Sequence, residues 1–343
     1  MRPSHDLRPG RRAAITTVLA TLALLPAARA RAALFATVDL ATPGALGVAH
    51  FDDSGHYLGL LPYGATTGAS GMGVDDAGNL YIVSNFPRQG HFSRFSPPYS
   101  SEASINIPSL GSPGGVATDG AGRAYVVSNA STSLPGSQTG VYRYDPTTRS
   151  TTFIPTAAPA GHFAGAIAVS PAGDVFLSRD LDNGAGHAIE RYAGDTGAFL
   201  GTFIDRARDY GGYGLDFGPD DNLYLSTPTS IDRYNGTTGA FLGTFIPQGA
   251  GGMSGLASFD FGADGLVYVN DAGNSRILRF DATTGAFRDV FITPDQYYHS
   301  EYVNQLNLIA VAVPEPATGF LLPLAAAALV RRHRQRRRPQ VRT

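Results

Sequence analysis

Asp195-Thr-Gly-Ala-Phe-Leu-Gly-Thr-Phe-Ile204 recurs as Thr237-Thr-Gly-Ala-Phe-Leu-Gly-Thr-Phe-Ile246 and again, more loosely, as Thr283-Thr-Gly-Ala-Phe-Arg-Asp-Val-Phe-Ile292. Three near copies make the chain a repeat array, and the array has to be parsed before any local reading. A second element, a turn leading into an apolar run, appears five times: Asp76-Ala-Gly-Asn-Leu-Tyr-Ile-Val83, Gly120-Ala-Gly-Arg-Ala-Tyr-Val-Val127, Pro171-Ala-Gly-Asp-Val-Phe-Leu177, Pro219-Asp-Asp-Asn-Leu-Tyr-Leu225 and Ala263-Asp-Gly-Leu-Val-Tyr-Val269. Aligned on Gly78, Gly122, Gly173, Asp221 and Gly265, the steps are 44, 51, 48 and 44 residues. A third element joins an apolar or aromatic residue, a spacer, Arg and a closing aromatic. Its copies end in Arg94-Phe95, Arg143-Tyr144, Arg191-Tyr192, Arg233-Tyr234 and Arg279-Phe280.

Each unit therefore reads as four short strands: a Gly-led first strand such as Gly73-Val74 or Tyr213-Gly-Leu-Asp-Phe217, the Leu-Tyr-Val strand, the Arg-aromatic strand and the Phe-Leu-Gly-Thr-Phe strand. Turn residues separate them and no helical period intervenes. Four strands in such a step describe a β-propeller blade, whose second strand is apolar on both faces because blades pack on either side. Five units run from about Gly71 to Ile292. The ends supply a sixth: Leu46 to Leu61 match the last two strands of a unit, with His50 at the Arg position, and Tyr302 to Val311 provide its inner strand. The expected fold is all-β, a six-bladed propeller of four-stranded blades, closed by pairing the two ends so that no sheet edge is left open. The repeated Arg is expected to form inter-strand ion pairs or to stack on rings.

Gly273-Asn-Ser-Arg-Ile-Leu-Arg-Phe-Asp281 resembles NHL-type repeats, and the body is similar to the NHL and gluconolactonase-like group of six-bladed propellers. That resemblance implies a divalent metal on the axis held by Glu, Asn and Asp in the enzymes of the group. Here the body offers Glu102 in a Ser-Pro-rich loop, Glu190 on a strand, Glu301, and Glu315 in a terminal motif, with no glutamate placed as a ligand from the first blade. No catalytic residue, metal ligand or cofactor is assigned, and Ca²⁺ or another divalent ion stays as the alternative. Asp180-Leu-Asp182-Asn183-Gly184 has a Ca²⁺-loop texture without the bidentate Glu at its end. Asn85, Asn129, Asp180 and Asn270-Asp271, just after the second strands, are the candidate ligand contacts at a channel mouth. The bland reading of the same residues is a turn side chain bonded to its own backbone.

Composition narrows the classes further. There is no Cys, which excludes disulfides, thiolate metal sites and a Cys nucleophile, and all 26 basic residues are Arg. Residues 1–32 hold six Arg and one Asp, and residues 331–343 hold seven Arg and no acid. Taking 13 of the 26 Arg and one of the 28 acids away leaves 13 Arg against 27 acids from 33 to 330, a net charge of −14. So acidic a body disfavours nucleic acid and anionic lipid. Arg11-Arg12, the apolar stretch from Ala13 to Pro26 and the Ala28-Arg29-Ala30-Arg31-Ala32 frames read as an export signal, cut after Ala30 or Ala32, by the general secretory or the twin-arginine route.

The other terminus carries Val313-Pro314-Glu315-Pro316, an apolar run from Ala317 to Val330, and a basic stop of Arg331, Arg332, Arg334, Arg336, Arg337 and Arg338. Fourteen residues rise about 21 Å as a helix, short of a bilayer core of about 30 Å, and Pro323 weakens the span further. The Arg block favours the cytoplasmic side, leaving the body outside. This tail resembles the PEP-CTERM sorting signal. The resemblance implies an exosortase that recognises and removes the tail, passage through the inner membrane, delivery to the cell surface or matrix, and surface polysaccharide or matrix components as partners. Three segments are thus expected: an export signal over 1–32, a propeller over 33–312 and a sorting tail with a short transmembrane helix over 313–343. Any cut should fall at or after Pro314, because an upstream cut would remove the closing strand. The functional expectation is an exported, non-enzymatic binding or structural propeller, with a secreted metal-dependent lactonase- or hydrolase-like propeller as the competing reading.

Overall fold

The computed structural model of the chain describes residues 33–40, 46–62, 69–86, 89–131, 134–156, 163–180, 187–207, 214–297 and 303–312. The segments expected as a sorting tail, 313–343, and as an export signal, 1–32, lie outside them. Among the described residues no helix is long and apolar enough to cross a membrane.

Twenty-four strands form six four-stranded antiparallel sheets. Blade I contains β1 (Ala33–Leu40), β2 (Leu46–Phe51) and β3 (Tyr57–Leu60), and takes its inner strand from the far end of the chain, β24 (Val303–Ala312). Blade II is β4 (Ala69–Val74), β5 (Leu80–Phe86), β6 (Gln89–Phe95) and β7 (Glu102–Ile105). Blade III is β8 (Ser112–Thr118), β9 (Ala124–Asn129), β10 (Gly140–Asp145) and β11 (Ser150–Pro155). Blade IV is β12 (Phe163–Val169), β13 (Val175–Asp180), β14 (His187–Tyr192) and β15 (Phe199–Ala207). Blade V is β16 (Leu215–Phe217), β17 (Leu223–Ser226), β18 (Ile231–Tyr234) and β19 (Phe241–Ile246). Blade VI is β20 (Leu256–Phe261), β21 (Leu266–Asp271), β22 (Arg276–Asp281) and β23 (Phe287–Ile292).

Ring closure follows the expected pairing. Val311 lies opposite Leu34 and Ala310 opposite Phe35, so β24 stands inside β1 as the other first strands stand inside their second strands. The sequence reading left the second strand of this blade unassigned, and β1 fills it. It begins at Ala33, directly after the second of the two leader cut sites.

Strand alternation explains the cores. Successive side chains of a strand leave on opposite faces, and each second strand feeds two interblade clusters. Leu80 and Ile82 pack toward blade I, Tyr81 and Val83 toward blade III. Ala124 and Val126 join the latter cluster, whereas Tyr125 and Val127 face blade IV. Leu223 and Leu225 point to blade IV, Tyr224 to blade VI. Six such wedges, one at each blade boundary, replace a single core.

The aligned turn positions are also equivalent in conformation. Gly78, Gly122, Gly173 and Gly265 have φ of 78, 75, 88 and 80°, and Asp221 takes the same left-handed turn at 59°. Aspartate is one of the few non-glycine residues that enter this region at modest cost.

Candidate functional site

The innermost strands surround a central channel of about 540 Å³. Its wall has two unlike halves. On the side of blades II to IV the backbones meet through glycine: a Cβ on Gly71 would stand 2.5 Å from the Gly114 carbonyl oxygen, and one on Gly114 2.7 Å from the Gly165 Cα. Nothing larger than hydrogen fits at Gly71 and Gly114, so the wall is backbone at these crossings, with side chains such as Met72, Val116 and Ile167 between them.

The opposite arc carries a pair of carboxyls, and Asp75 and Asp76 line the blade II side. In register with the aromatic of the second strand, the inner strands place Gly73, Ala117, Ala168, Asp216, Asp260 and Ala310. Four blades keep a small residue at this position and two neighbours, V and VI, put a carboxyl there. The Asp216 and Asp260 side chains are hydrogen-bonded to each other. They touch channel solvent but are surrounded by protein on every other side, and burial raises both above the ordinary carboxylate range; Asp216 raises Asp260 further. Two carboxyls that share a hydrogen bond need a proton between them.

Each acid also reaches one blade onward. Asp216 is held by the backbone N–H groups of Phe217, at 2.8 Å, and Phe261. The Val311 N–H donates to Asp260 Oδ2 at 2.7 Å, and the Ile309 N–H to Ser258 Oγ at 3.2 Å. Blade VI thus grips the closing strand through two side-chain acceptors.

Of the residues expected at a channel mouth, Asn129, Asn270 and Asp271 have described side chains. Asn129 lines the channel. Asn270 and Asp271 are fully buried in blade VI. The Asp271 carboxylate accepts from the Ser254 and Gly255 N–H groups, from Asn274 Nδ2, and from Arg276 Nε at 2.8 Å, a turn-organising role that holds its pKa below the usual carboxylate range. Asn85 lies on β5 opposite Gly90, and Asp180 ends β13 opposite His187; their side chains, and Asp182 to Gly184, lie outside the described residues. Glu102 differs from its loop reading. It opens β7, opposite Phe95, and its Oε1 lies 2.6 Å from His91 Nε2. The register of β6 turns this end of the Ser-Pro segment into strand.

In blades III, IV and VI the repeated Arg forms the expected ion pairs, whereas Arg94 of blade II donates to Asn79 Oδ1 at 2.9 Å. Arg191 pairs with Asp174 and stands over the Phe176 ring, and Arg279 makes a two-pronged pair with Asp289 at 2.8 and 2.7 Å and lies 4.5 Å over Phe291. Arg143 crosses to Asp195 of the next blade at 2.9 Å. His50, at the Arg position of blade I, stacks on Phe35 at 4.9 Å instead.

A further pairing escaped the sequence reading. In four blades the second-strand tyrosine donates its hydroxyl to an aspartate of the preceding turn: Tyr81 to Asp75 at 3.2 Å, Tyr125 to Asp119 at 3.0 Å, Tyr224 to Asp220 at 3.1 Å and Tyr268 to Asp264 at 2.9 Å. Burial first and the carboxylate second raise all four phenols, Tyr125 and Tyr224 to about 12. Blade IV has Phe176 and no hydroxyl, and Ser170 stands where blades II and III have Asp75 and Asp119.

Among the described residues no group of three or more His, Asp or Glu is placed to hold a metal ion. Asp216 and Asp260 are spent on each other and on backbone N–H groups, and the described lining of the channel holds no glutamate of the kind a gluconolactonase-like centre uses.

This architecture defines a six-bladed β-propeller whose channel has a glycine-rich arc facing a pair of aspartates. No family model and no curated protein matches the chain. Solved structures do. A chain of a nidogen/laminin complex is similar with a TM-score of 0.55 and 14% identity over 83% of this chain and 99% of that one. A protein of unknown function from Bacteroides caccae is similar with a TM-score of 0.59 and 11% identity over 82% of this chain and 99% of that one. At these identities the likeness concerns the fold.

Proposed function

We propose that the chain is an exported propeller that acts as a binding or structural module at the cell surface or in the extracellular matrix, and that the tail over 313–343 directs it there. The observation that carries this reading is where the ring begins and ends. β1 starts at Ala33 and β24 stops at Ala312, so the six blades are complete between the leader and Val313-Pro314-Glu315-Pro316. Loss of both flanking segments leaves every blade with four strands, as a substrate of an exosortase-type processing enzyme requires. It also leaves an acidic body that stays soluble outside the cell.

A binding role suits a channel whose acids serve each other and the backbone. A propeller of this fold occurs in a nidogen/laminin complex, and surface polysaccharide or matrix components are the partners we assign here. Mass spectrometry of the surface fraction tests the reading: the mature protein should begin near Ala33 and end soon after Pro314. An intact C-terminus beyond Arg331 on the surface protein overturns it.

A further inference from the structure

The closing strand is the mechanical weak point of any ring propeller, because it is the one strand whose own blade is joined to it only by hydrogen bonds and packing. Here it is gripped from the neighbouring blade as well. Ser258 and Asp260 on β20 accept the Ile309 and Val311 N–H groups, and Asp260 is bonded in turn to Asp216 on β16. The chain of contacts runs from blade V through blade VI to blade I.

We propose that Asp216, Asp260 and Ser258 form a proton-dependent latch on β24, in which a proton shared by the two carboxyls keeps the ring closed and its loss loosens the closing strand. Asp260 can lie against Asp216 and still accept from Val311 only while the pair is protonated. With both ionised, two like charges face each other on a low-dielectric wall, and the cheapest relief is for Asp260 to move out toward channel water. That motion breaks the bond to Val311.

Among the described residues no cation is paired with either carboxyl. The described residues that line the channel beside the pair are neutral: Phe217, Phe261, Val169, Leu308 and Val311. The phenols in register with the two acids, Tyr224 on β17 and Tyr268 on β21, donate to Asp220 and Asp264. Across the channel, Asp75 is bonded to Asn79 and Tyr81, and Asp76 is the remaining acid of the lining.

The sign follows from the raised carboxyls. A carboxyl whose folded pKa lies above its unfolded value binds more protons in the folded state. The stability it contributes is whole below about pH 4 and is lost as pH rises through the folded values. The latch is therefore tight in acid and loosens toward alkaline pH, opposite to an ordinary ion-paired aspartate.

Amide hydrogen exchange of the full-length protein, corrected for the intrinsic pH dependence of exchange, reads the latch locally. Protection of Ile309 and Val311 should fall at least about tenfold between about pH 5 and about pH 9, since a titrating group shifts an equilibrium tenfold per pH unit above its pKa. Strand β9, which has no latch, should keep its protection. Asp260→Asn retains an acceptor for Val311 and a donor for Asp216 without the titration, so its protection at Val311 should stay flat over the same range. A flat wild-type profile, or an Asp260→Asn profile as steep as the wild type, overturns the proposal. If Asp260→Asn fails to fold, Asp216→Asn carries the same expectation and the wild-type profile still decides. The result does not depend on whether the tail is processed.

Discussion

Blades IV and V share an identical outer strand, Ala-Phe-Leu-Gly-Thr-Phe-Ile at 198–204 and 240–246, yet differ on the inner strand and at the aromatic behind it. Blade IV has Ala168 inside and Phe176 behind it; blade V has Asp216 inside and Tyr224 behind it. The outer halves behave alike down to their irregularities. Leu200 and Leu242 are each the extra residue of a bulge, followed by Gly201 and Gly243 at φ 127 and 132°, and Phe203 and Phe245 turn in to meet Phe176 and Tyr224 edge-on at 4.9 Å. The difference teaches that polar groups enter this interior in sets. A second-strand phenol comes with a turn aspartate in four blades, and both are missing from blade IV; the carboxyl of Asp216 comes with that of Asp260. A single member alone would leave a buried group without a partner, at about 1–3 kcal/mol. The outer strand, facing solvent with Phe199, Leu200, Phe241 and Leu242 partly exposed, has no such requirement and is free to repeat.

The largest effect expected from breaking this comparison is Tyr224→Ala. The ring is fully buried between blades V and VI, and its loss should lower stability by about 3–5 kcal/mol in urea denaturation. Next comes a conversion of blade IV toward blade V. Phe176→Tyr alone places a hydroxyl in a buried site with no aspartate at the matching turn and should cost about 1–3 kcal/mol. Ser170→Asp in the same chain should recover most of that loss, and a double-mutant cycle showing simple additivity would contradict the paired-entry argument. Gly201→Ala tests the shared bulge. A Cβ there meets nothing within 4 Å, so the cost of about 1–2 kcal/mol in thermal melts should be backbone strain alone, and Gly243→Ala should match it. The smallest pair sharpens the role of the repeated Arg. Arg279→Ala removes a two-pronged ion pair and a close ring contact and should cost about 1 kcal/mol. Arg233→Ala, with an ion pair at 3.8 Å and a ring at 6.0 Å, should cost less than about 0.5 kcal/mol.

The repeat step, the alignment of Asp221 with the turn glycines, the Arg-aromatic strand and the use of Tyr302 to Val311 to close the ring were all legible, because each is a pattern over neighbouring residues. β1 was not: Ala-Leu-Phe-Ala-Thr-Val-Asp-Leu follows an Ala-rich leader and lacks the turn signature that marks the other second strands. The Asp216 and Asp260 pair went unread although its signal was present. Leu215-Asp-Phe-Gly218 and Phe259-Asp-Phe-Gly262 repeat the same apolar-Asp-Phe-Gly order at one blade's distance. Within one blade such an Asp looks like a strand residue near a turn, and only the curvature of the ring turns the two toward each other.

Short-range pattern therefore determined the number of blades, their strand order and the acidic charge of the body, because strand alternation and turn conformation depend on residues a few positions apart. The two-sided channel, the pairing of Asp216 with Asp260 and the grip of blade VI on β24 were decided by tertiary structure alone. They join residues 44 to 51 positions apart, and what makes them interact is the ring, which excludes water from one side of the carboxyls and sets one blade's side chains against the next blade's free N–H groups.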